Sequence, residues 1–343
     1  MEQKMKKSSL LVSISIFLIA LFGGCSHKNY FEPEKVAGEV RYDGRLPSSI
    51  IDRTIVSALL ENGAFITKKD GLVKKKLPKG FRVLNEGKDY YIVADKGGNL
   101  KILSKNDLSV IHEKSFKEIV AAAALKDSLL AIVFADNRLY LYDINDQEEY
   151  FNEKLDDVYA LDSRIANPAF LNDLVIYPTL DGRLIITDIT HKKIIRDLVI
   201  SSEKYFNNVI FLKVIGNRLI AATNTKVMSI DPKGINIYGE SEIKDIIFLA
   251  DRVYIFTKDG KIVLTTPDLR VLKEKKYPFA IFSGVIYGEF IYAIEKGGYV
   301  IAVDKDLITE NYFKLPDPIE DLLFTAGDRL YYQDYYFKLN TSK

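Results

Sequence analysis

The sequence predicts an all-β protein, a single eight-bladed β-propeller that follows an N-terminal export signal. Three observations carry this prediction. The 343 residues are 48% hydrophobic and 28% charged, with 21 Tyr and 19 Phe, which is typical of a folded chain and not of a disordered one. Two apolar runs around a tight turn recur at intervals of 34 to 45 residues. The repeat extends to the end of the chain, so we expect no second domain.

Residues 1–24 form the predicted signal peptide. Three lysines precede a short apolar segment over residues 8–22, which is shorter than the roughly 20 apolar residues of a membrane-spanning helix. The segment ends in Leu21-Phe22-Gly23-Gly24-Cys25. This end resembles the lipobox of bacterial lipoproteins, although Phe22 departs from the usual small residue. The resemblance implies that Cys25 carries the lipid. A free thiol behind an ordinary signal or membrane anchor is the alternative.

The chain that follows cleavage is close to neutral. It has 45 basic and 46 acidic residues, a net charge of −1, so charge gives no case for a nucleic-acid partner. Residues 25–37 are predicted to be a lipidated tether and residues 38–343 the propeller. Cys25 is the one cysteine, so no intrachain disulfide can form and the core must stabilise the exported protein. By resemblance to enterobacterial lipoproteins, Ser26 implies the periplasmic face of the outer membrane.

Each repeat predicts four strands. Runs rich in Ile, Val, Tyr and Phe flank turns such as Asp181-Gly182 and Gly297-Gly298, which is the pattern of a β-hairpin. An apolar stretch precedes each hairpin and an edge-like stretch follows it, so each unit corresponds to a propeller blade. We name the strands A to D from the axis outward. The units begin at residues 52, 89, 128, 173, 217, 251, 289 and 328. Seven blades, without the weak unit at Asp52, is the alternative.

The last unit ends without a fourth strand. We predict that residues 40–42 (Val40-Arg41-Tyr42) supply it and close the ring. Closure by the N-terminal segment removes an exposed sheet edge, which would otherwise promote aggregation.

The second strand and its turn resemble the repeat of the pyrroloquinoline-quinone-type propellers. The matches include residues 227–234 and 300–304, each with an Asp at the end of the strand. We expect this Asp to accept backbone N–H bonds in the following turn. The family usually places a Trp in the outer strand, and this chain has none. We expect Phe151, Tyr238 and Phe313 to replace it as aromatic packing.

A lipid-anchored propeller of this type resembles the BamB family of the outer-membrane β-barrel assembly machinery. The resemblance implies a monomeric scaffold that binds protein partners. Two alternatives remain open: a cell-wall glycan-binding propeller or surface adhesin, and an enzyme with an unmarked channel site. Partner binding in β-barrel assembly is the first hypothesis. Membrane attachment would come through the N-terminal lipid alone.

Signatures of catalysis are missing from the sequence. The quinoprotein dehydrogenases have this fold but resemble one another in a Trp floor and a pair of adjacent cysteines, and this chain has no Trp and one Cys. Zinc-protease, nucleophile-elbow and phosphate-loop motifs do not occur. The histidines, His27, His112 and His191, stand alone in the sequence. We therefore expect a protein that is not an enzyme and that binds no cofactor or metal.

Loop length indicates a partner-binding site. The longest intervals follow the third and fourth units, where acidic, aromatic and apolar residues mix. Both connections run from strand D to strand A and so lie on one face of the disc, where binding residues concentrate. Surface length without function is the alternative. The predicted site comprises Asp156, Asp157, Tyr159, Leu161, Asp162, Arg164, Tyr205 and Phe206.

Overall fold

The computed structural model describes residues 30–158 and 161–339, and over these residues the fold is all-β. Eight antiparallel sheets form the eight blades of a propeller, which confirms the predicted fold and blade number. Within the described ranges, no helix is long and apolar enough to cross a membrane.

The strands are numbered in chain order. Two short segments, β1 (Gly38–Glu39) and β2 (Gly44–Arg45), precede the first blade. Blades 1 to 4 contain, from the axis outward, β3 to β6 (Ile50–Arg53, Ser57–Leu60, Phe65–Thr67, Gly71–Val73), β7 to β10 (Arg82–Glu86, Tyr90–Ala94, Asn99–Ser104, Val110–Ser115), β11 to β14 (Val120–Lys126, Leu129–Phe134, Arg138–Asp143, Glu149–Lys154) and β15 to β18 (Ala169–Leu171, Leu174–Pro178, Arg183–Asp188, Lys193–Val199).

The second half of the chain repeats this order. Blades 5 to 8 contain β19 to β22 (Phe211–Ile215, Arg218–Ala222, Lys226–Asp231, Gly234–Gly239), β23 to β26 (Ile243–Phe248, Val253–Thr257, Lys261–Thr265, Val271–Lys276), β27 to β30 (Phe282–Tyr287, Ile291–Glu295, Tyr299–Val303, Glu310–Lys314) and β31 to β33 (Leu323–Ala326, Arg329–Tyr332, Tyr335–Lys338).

Burial falls from the middle of each blade to its rim. In blade 3, β12 is almost wholly buried and its Ala131 lies opposite Leu141 of β13, whereas the outer strand β14 is largely exposed. Strands covered on both faces have continuously apolar sequences, as the B strands do here. The weak first unit is a true blade, but its strand B begins at Ser57, because Asp52 belongs to the inner strand β3.

Aromatic side chains fill the space between neighbouring blades. Phe151 on the outer strand β14 stacks on Tyr177 of the next blade, with ring centroids 6.2 Å apart. Tyr238 and Phe313 pack in the same way against the clusters that join blades 5 and 6 and blades 7 and 8. These contacts confirm that the three rings pack between neighbouring blades.

Aspartates at the end of strand C organise the turns that follow. The Asp143 carboxylate accepts N–H bonds from Asn145 and Asp146, at 2.9 and 3.2 Å, and the Asp231 carboxylate accepts one from Lys233 at 2.8 Å. The prediction of a structural role for these carboxylates is confirmed, since the bonds satisfy backbone donors that the turn leaves unpaired.

The prediction for ring closure was wrong in its position. Gly44–Arg45 (β2), and not residues 40–42, pairs antiparallel with β33 and supplies the missing outer strand of blade 8. Gly38–Glu39 (β1) pairs parallel with β30 and adds a fifth strand to blade 7. The residues between them cross from one blade to the other. The side chains of Val40 and Tyr42 pack into the cluster between blades 7 and 8, and neither residue belongs to a strand.

The segment before β1 also lies against the propeller. The Phe31 ring packs among Tyr277, Tyr299 and Tyr312, and its centroid is 5.8 Å from that of Tyr299. The Ala37 N–H donates to the Tyr312 carbonyl at 2.7 Å. From Phe31 onward, the residues predicted as a tether therefore follow the outer rim of the disc.

Candidate functional site

Two long connections stand on one face of the disc. Residues 155–168, the first loop, join blades 3 and 4, and residues 200–210, the second loop, join blades 4 and 5. We call this side the D-to-A face. Side-chain amides fix both loops to the hairpin turns beneath them: Asn137 Nδ2 donates to the Asp156 carbonyl at 3.0 Å, and Asn207 Nδ2 donates to the Asp181 carbonyl at 2.9 Å.

The two loops also bind each other, as their predicted adjacency requires. Asn208 Nδ2 donates to the Arg164 carbonyl at 2.6 Å, and the Asp162 N–H donates to Asn208 Oδ1 at 2.7 Å. The Ala166 N–H adds a bond to the Val209 carbonyl at 3.0 Å. Because these hydrogen bonds are buried or half-buried and join the two loops directly, the loops support each other. We call the two loops together the platform.

Four of the predicted site residues project from this platform into solvent. The side chains of Asp156 and Asp157 are 92% and 85% exposed, and Tyr205 and Phe206 are about half exposed. Phe206 has a φ of 52°, a backbone conformation that bulky side chains rarely adopt. Strain of this kind concentrates at functional sites. Asp156 lies 3.7 Å from Arg183 and Asp157 pairs with Lys154 at 2.8 Å, but both carboxylates, like the two aromatic rings, remain accessible to a partner.

Two other predicted residues have an internal role. Arg164 pairs with the Asp162 carboxylate at 2.5 Å, and its Nη1 donates to the carbonyls of Ile243 and Lys244 at 2.8 and 2.7 Å. The guanidinium thus joins the first loop to the entrance of blade 6. Burial would raise the pKa of Asp162, but the hydrogen bond and charge of Arg164 outweigh it and hold that pKa below its usual range.

Of the remaining two predicted residues, the one that the structure describes is not exposed. Leu161 is half-buried and packs against the cluster between blades 3 and 4. Tyr159 lies outside the described residues. Sequence reasoning missed Phe279, on the connection between blades 6 and 7, which is 57% exposed and has a φ of 64°. Phe279 therefore shares both properties of Phe206 on the same face.

A cavity opens where the loops meet the central channel. It has a volume of about 350 Å³ and brings Asp162, Arg164 and Phe206 together with Lys244 and Lys258. A second cavity of about 510 Å³ lies further along the channel and shares Arg53, Ser163, Arg164 and Lys244 with the first. The D-to-A face thus leads directly into the channel.

The channel holds basic side chains that the sequence analysis did not select, namely Arg53, Lys68, Lys213 and Lys244. They come from blades 1, 5 and 6. The available signal was a charge inside an apolar inner strand, as in Phe211-Leu212-Lys213-Val214. In the sequence alone, such a charge cannot be distinguished from one on an exposed edge.

Charge repulsion and burial perturb the groups in the channel. Burial, with the nearby charges of Arg53 and Arg164, lowers the pKa of Lys244 to about 8. Burial also lowers the pKa of Lys68 and raises that of Asp245. Among the residues that the structure describes, no group of three His, Cys, Asp or Glu side chains is arranged to hold a metal ion.

Comparison with known proteins gives two kinds of likeness. No model of a known family matches the chain. The BamB structure from Moraxella catarrhalis superposes with a TM-score of 0.63 at 15% identity, over 86% of this chain and 99% of that one. The C-terminal WD40 domain of Sif2 superposes with a TM-score of 0.66 at 11% identity, over 89% and 99%. Both likenesses concern the propeller fold alone.

Sequence likeness is closer to a different protein. The plasminogen-binding protein PgbB of Helicobacter pylori strain 26695 is 32% identical over 96% of this chain and 71% of its own length. PgbB of strain J99 has the same identity and coverage. Identity at this level along nearly the whole chain reflects common descent, and the protein therefore belongs to the PgbB family.

Proposed function

We propose that this protein is a lipid-anchored scaffold of the cell envelope that binds a protein partner through its D-to-A face. The observation that carries the proposal is the exposure of Tyr205 and Phe206 beside Asp156 and Asp157 on a braced platform. Aromatic side chains on a rigid support are the usual anchors of protein interfaces, and acidic neighbours steer an oppositely charged partner.

Plasminogen is the first partner to test. The relatives at 32% identity are named for binding it, and they match almost the whole propeller. This likeness favours the surface-adhesin alternative over the assembly role that the fold alone suggested.

The proposed site can be tested by titrating plasminogen against the immobilised protein on a biosensor. Tyr205→Ala with Phe206→Ala removes both aromatic anchors and should weaken binding by about 2 kcal/mol or more, which is roughly 30-fold in Kd. Ile308→Ala is the matched control, since Ile308 is 64% exposed on a C-to-D turn of the opposite face. Equal binding by the double variant and the wild type would place the site elsewhere.

Charge reversal separates steering from contact at the same platform. Asp156→Lys with Asp157→Lys should slow association with little change in dissociation, and the effect should be larger at low salt, because exposed charges act at long range. The measurement is the association rate at two salt concentrations. A change confined to the dissociation rate would contradict the steering role.

β-barrel assembly in the outer membrane is the second candidate function. The BamB-like propeller supports it, as does the repeat's resemblance to pyrroloquinoline-quinone-type propellers. Co-purification from detergent-solubilised envelopes tests it: a barrel-assembly protein would support this role, and its absence from complexes that retain plasminogen binding would reject it. In either role we propose that the chain acts without catalysis and without a cofactor.

Membrane attachment through Cys25 is part of the proposal. Two or more acyl chains give stable attachment where one gives only marginal binding. The assembly role places this anchor on the periplasmic face of the outer membrane, whereas plasminogen capture requires the propeller to be displayed on the outer surface of the cell. Cys25→Ala should abolish fatty-acid labelling and leave the signal peptide uncleaved by the lipoprotein peptidase. Normal processing and labelling of this variant would overturn the lipid anchor.

A further inference from the structure

Basic side chains converge on the central channel from blades that are far apart in the sequence. Arg53, Lys68, Arg164, Lys213 and Lys244 line the two connected cavities. Lys258 and three carboxylates, Asp162, Glu242 and Asp245, line the same cavities, so six positive charges face three negative ones.

Most of these cations lack a counter-ion. Arg164 pairs with Asp162, but within the described part of the chain Arg53, Lys68, Lys213 and Lys244 form no ion pair. Arg53 donates from one nitrogen to the Leu323 carbonyl at 3.1 Å, and Lys68 donates to the Thr325 carbonyl at 2.6 Å. Both retain further N–H donors, and the nearby carboxylates of Asp245 and Asp162 offset the charges of Arg53, Lys68 and Lys244 only in part.

A backbone irregularity of the repeat places one of these charges, since the inner strands of blades 1, 2, 3 and 7 have the same register shift as that of blade 6. Between Ile243 and Asp245 the register of β23 against β24 shifts, so Lys244 is the extra residue of a β-bulge. Bulges redirect side chains and occur frequently next to binding sites. The bulge brings Lys244 into the stretch of wall that both cavities share.

Repulsion among these groups has a measurable signature. Burial is the main cause that lowers the pKa of Lys244, the charges of Arg53 and Arg164 lower it further, and Asp245 and Asp162 raise it by smaller amounts. Glu242 and Lys258 lie at the same mouth. Like charges held together without a counter-ion oppose folding, and an anion bound among them would relieve the repulsion.

We propose that the channel is a binding site for a small organic anion that carries two or three negative charges on carboxylate or phosphate oxygens. The net charge of the cavity wall matches such a ligand. The larger cavity, at about 510 Å³, falls within the range of small-molecule sites. Phe211, Phe248 and Leu323 give this wall an apolar part that suits a carbon skeleton. Phe206 of the platform lies at the mouth of the smaller cavity, whereas the larger cavity contains none of the four exposed platform residues.

Isothermal titration with citrate tests the proposal on the whole propeller. Citrate should bind with one-to-one stoichiometry at low salt, and its uncharged trimethyl ester should not bind. Lys244→Met and Arg53→Met should each weaken citrate at least tenfold. Lys233→Met, which removes an exposed charge on the opposite face, is the matched control and should bind as the wild type does. A melt of each variant verifies folding.

Proton linkage provides a readout that general electrostatic attraction does not. Because the pKa of Lys244 lies near the working pH, citrate binding at pH 8 should draw a proton onto its amine. Titrations in two buffers of different ionisation enthalpy should show net proton uptake, which falls in Lys244→Met. Wild-type affinity for citrate in Lys244→Met and Arg53→Met, absence of citrate binding to the wild type at millimolar concentration, or equal binding of the ester would each overturn the site. None of these results bears on plasminogen capture, which is tested separately.

Discussion

A single carboxylate can organise a whole turn, and Asp304 is the fullest example in this propeller. It accepts N–H bonds from Asp306, Ile308 and Thr309 at 2.9, 3.0 and 2.6 Å, and a further bond from the Thr309 hydroxyl. Burial alone would raise the pKa of Asp304, but these bonds outweigh it and hold the pKa well below its usual range. The ionised carboxylate therefore stabilises the fold at pH values above the pKa of Asp304 in the unfolded state, which is about 4. This stabilisation is lost as the pH falls towards the lower pKa of Asp304 in the folded state.

Asp304→Ala should lower the free energy of unfolding by about 2 kcal/mol at pH 7, because several backbone donors lose a charged acceptor. The difference from the wild type should narrow as the pH falls below about 4. Urea denaturation at several pH values measures both effects.

The matched control for this turn is Asp146→Ala. Asp146 occupies the corresponding turn of blade 3, is exposed, and its carboxylate makes no hydrogen bond within the described residues. We expect a change within about 0.5 kcal/mol. A difference at Asp304 that does not depend on pH would contradict the role of the ionised carboxylate.

At the scale of elements, closure of the ring depends on a strand of two residues. The N–H groups of Asp43 and Leu46, on either side of β2, donate to the carbonyls of Tyr336 and Asp334 at 3.0 and 2.7 Å. The Asp43 carboxylate also accepts the Lys338 N–H at 2.6 Å. The bonds that seal blade 8 are therefore few, and each should affect stability.

Asp43→Pro removes one of these donors and the carboxylate acceptor together, and should lower the Tm by several degrees. The two lost hydrogen bonds are each worth about 1 kcal/mol, and in domains of 150–250 residues each kcal/mol shifts the Tm by about 2–4 °C. Arg41→Pro is the control, because the Arg41 N–H donates no hydrogen bond in the described structure. Scanning calorimetry of both variants measures the effect, and equal melting temperatures would show that β2 does not seal the ring.

The same elements show what the sequence could and could not predict. The hairpins of strands B and C were predictable because Asp-Gly and Gly-Gly turns separate runs of β-branched and aromatic residues. β2 was not, since Gly44-Arg45 has neither alternation nor apolar residues, whereas Val40-Arg41-Tyr42 has both and serves as packing. Loop length indicated the exposed Tyr205 and Phe206. The channel cations were missed because they meet only when distant blades close into a ring.

At the scale of the whole molecule, stability depends on all eight blades forming an uninterrupted ring. Each blade buries its faces against two neighbours, as the clusters between blades 2 and 3 and between blades 6 and 7 illustrate. Blade 8 holds three strands from the C-terminal end and one from the N-terminal segment. Loss of that segment should therefore affect association as well as melting.

Removal of residues 30–46 should expose the edge of β33 and produce dimers or larger aggregates, because an unpaired edge strand recruits another chain. Removal of residues 30–36 alone keeps β1 and β2 and should leave the protein monomeric. Size-exclusion chromatography with light scattering separates the two outcomes. A monomeric product of the longer truncation would mean that another segment covers the edge.

The position of Phe31 determines how far the propeller can travel from a membrane. With the acyl group that we propose on Cys25, only five residues lie between the lipidated residue and Phe31, whose ring is held among Tyr277, Tyr299 and Tyr312. From Cys25 to Phe31, a fully extended chain spans about 20 Å, so the propeller would stay close to the membrane. The linker is attached at the rim of the disc, so the plane of the disc would be roughly perpendicular to the membrane. Both of its flat sides, the platform and the channel mouth included, would then stay clear of the lipid surface.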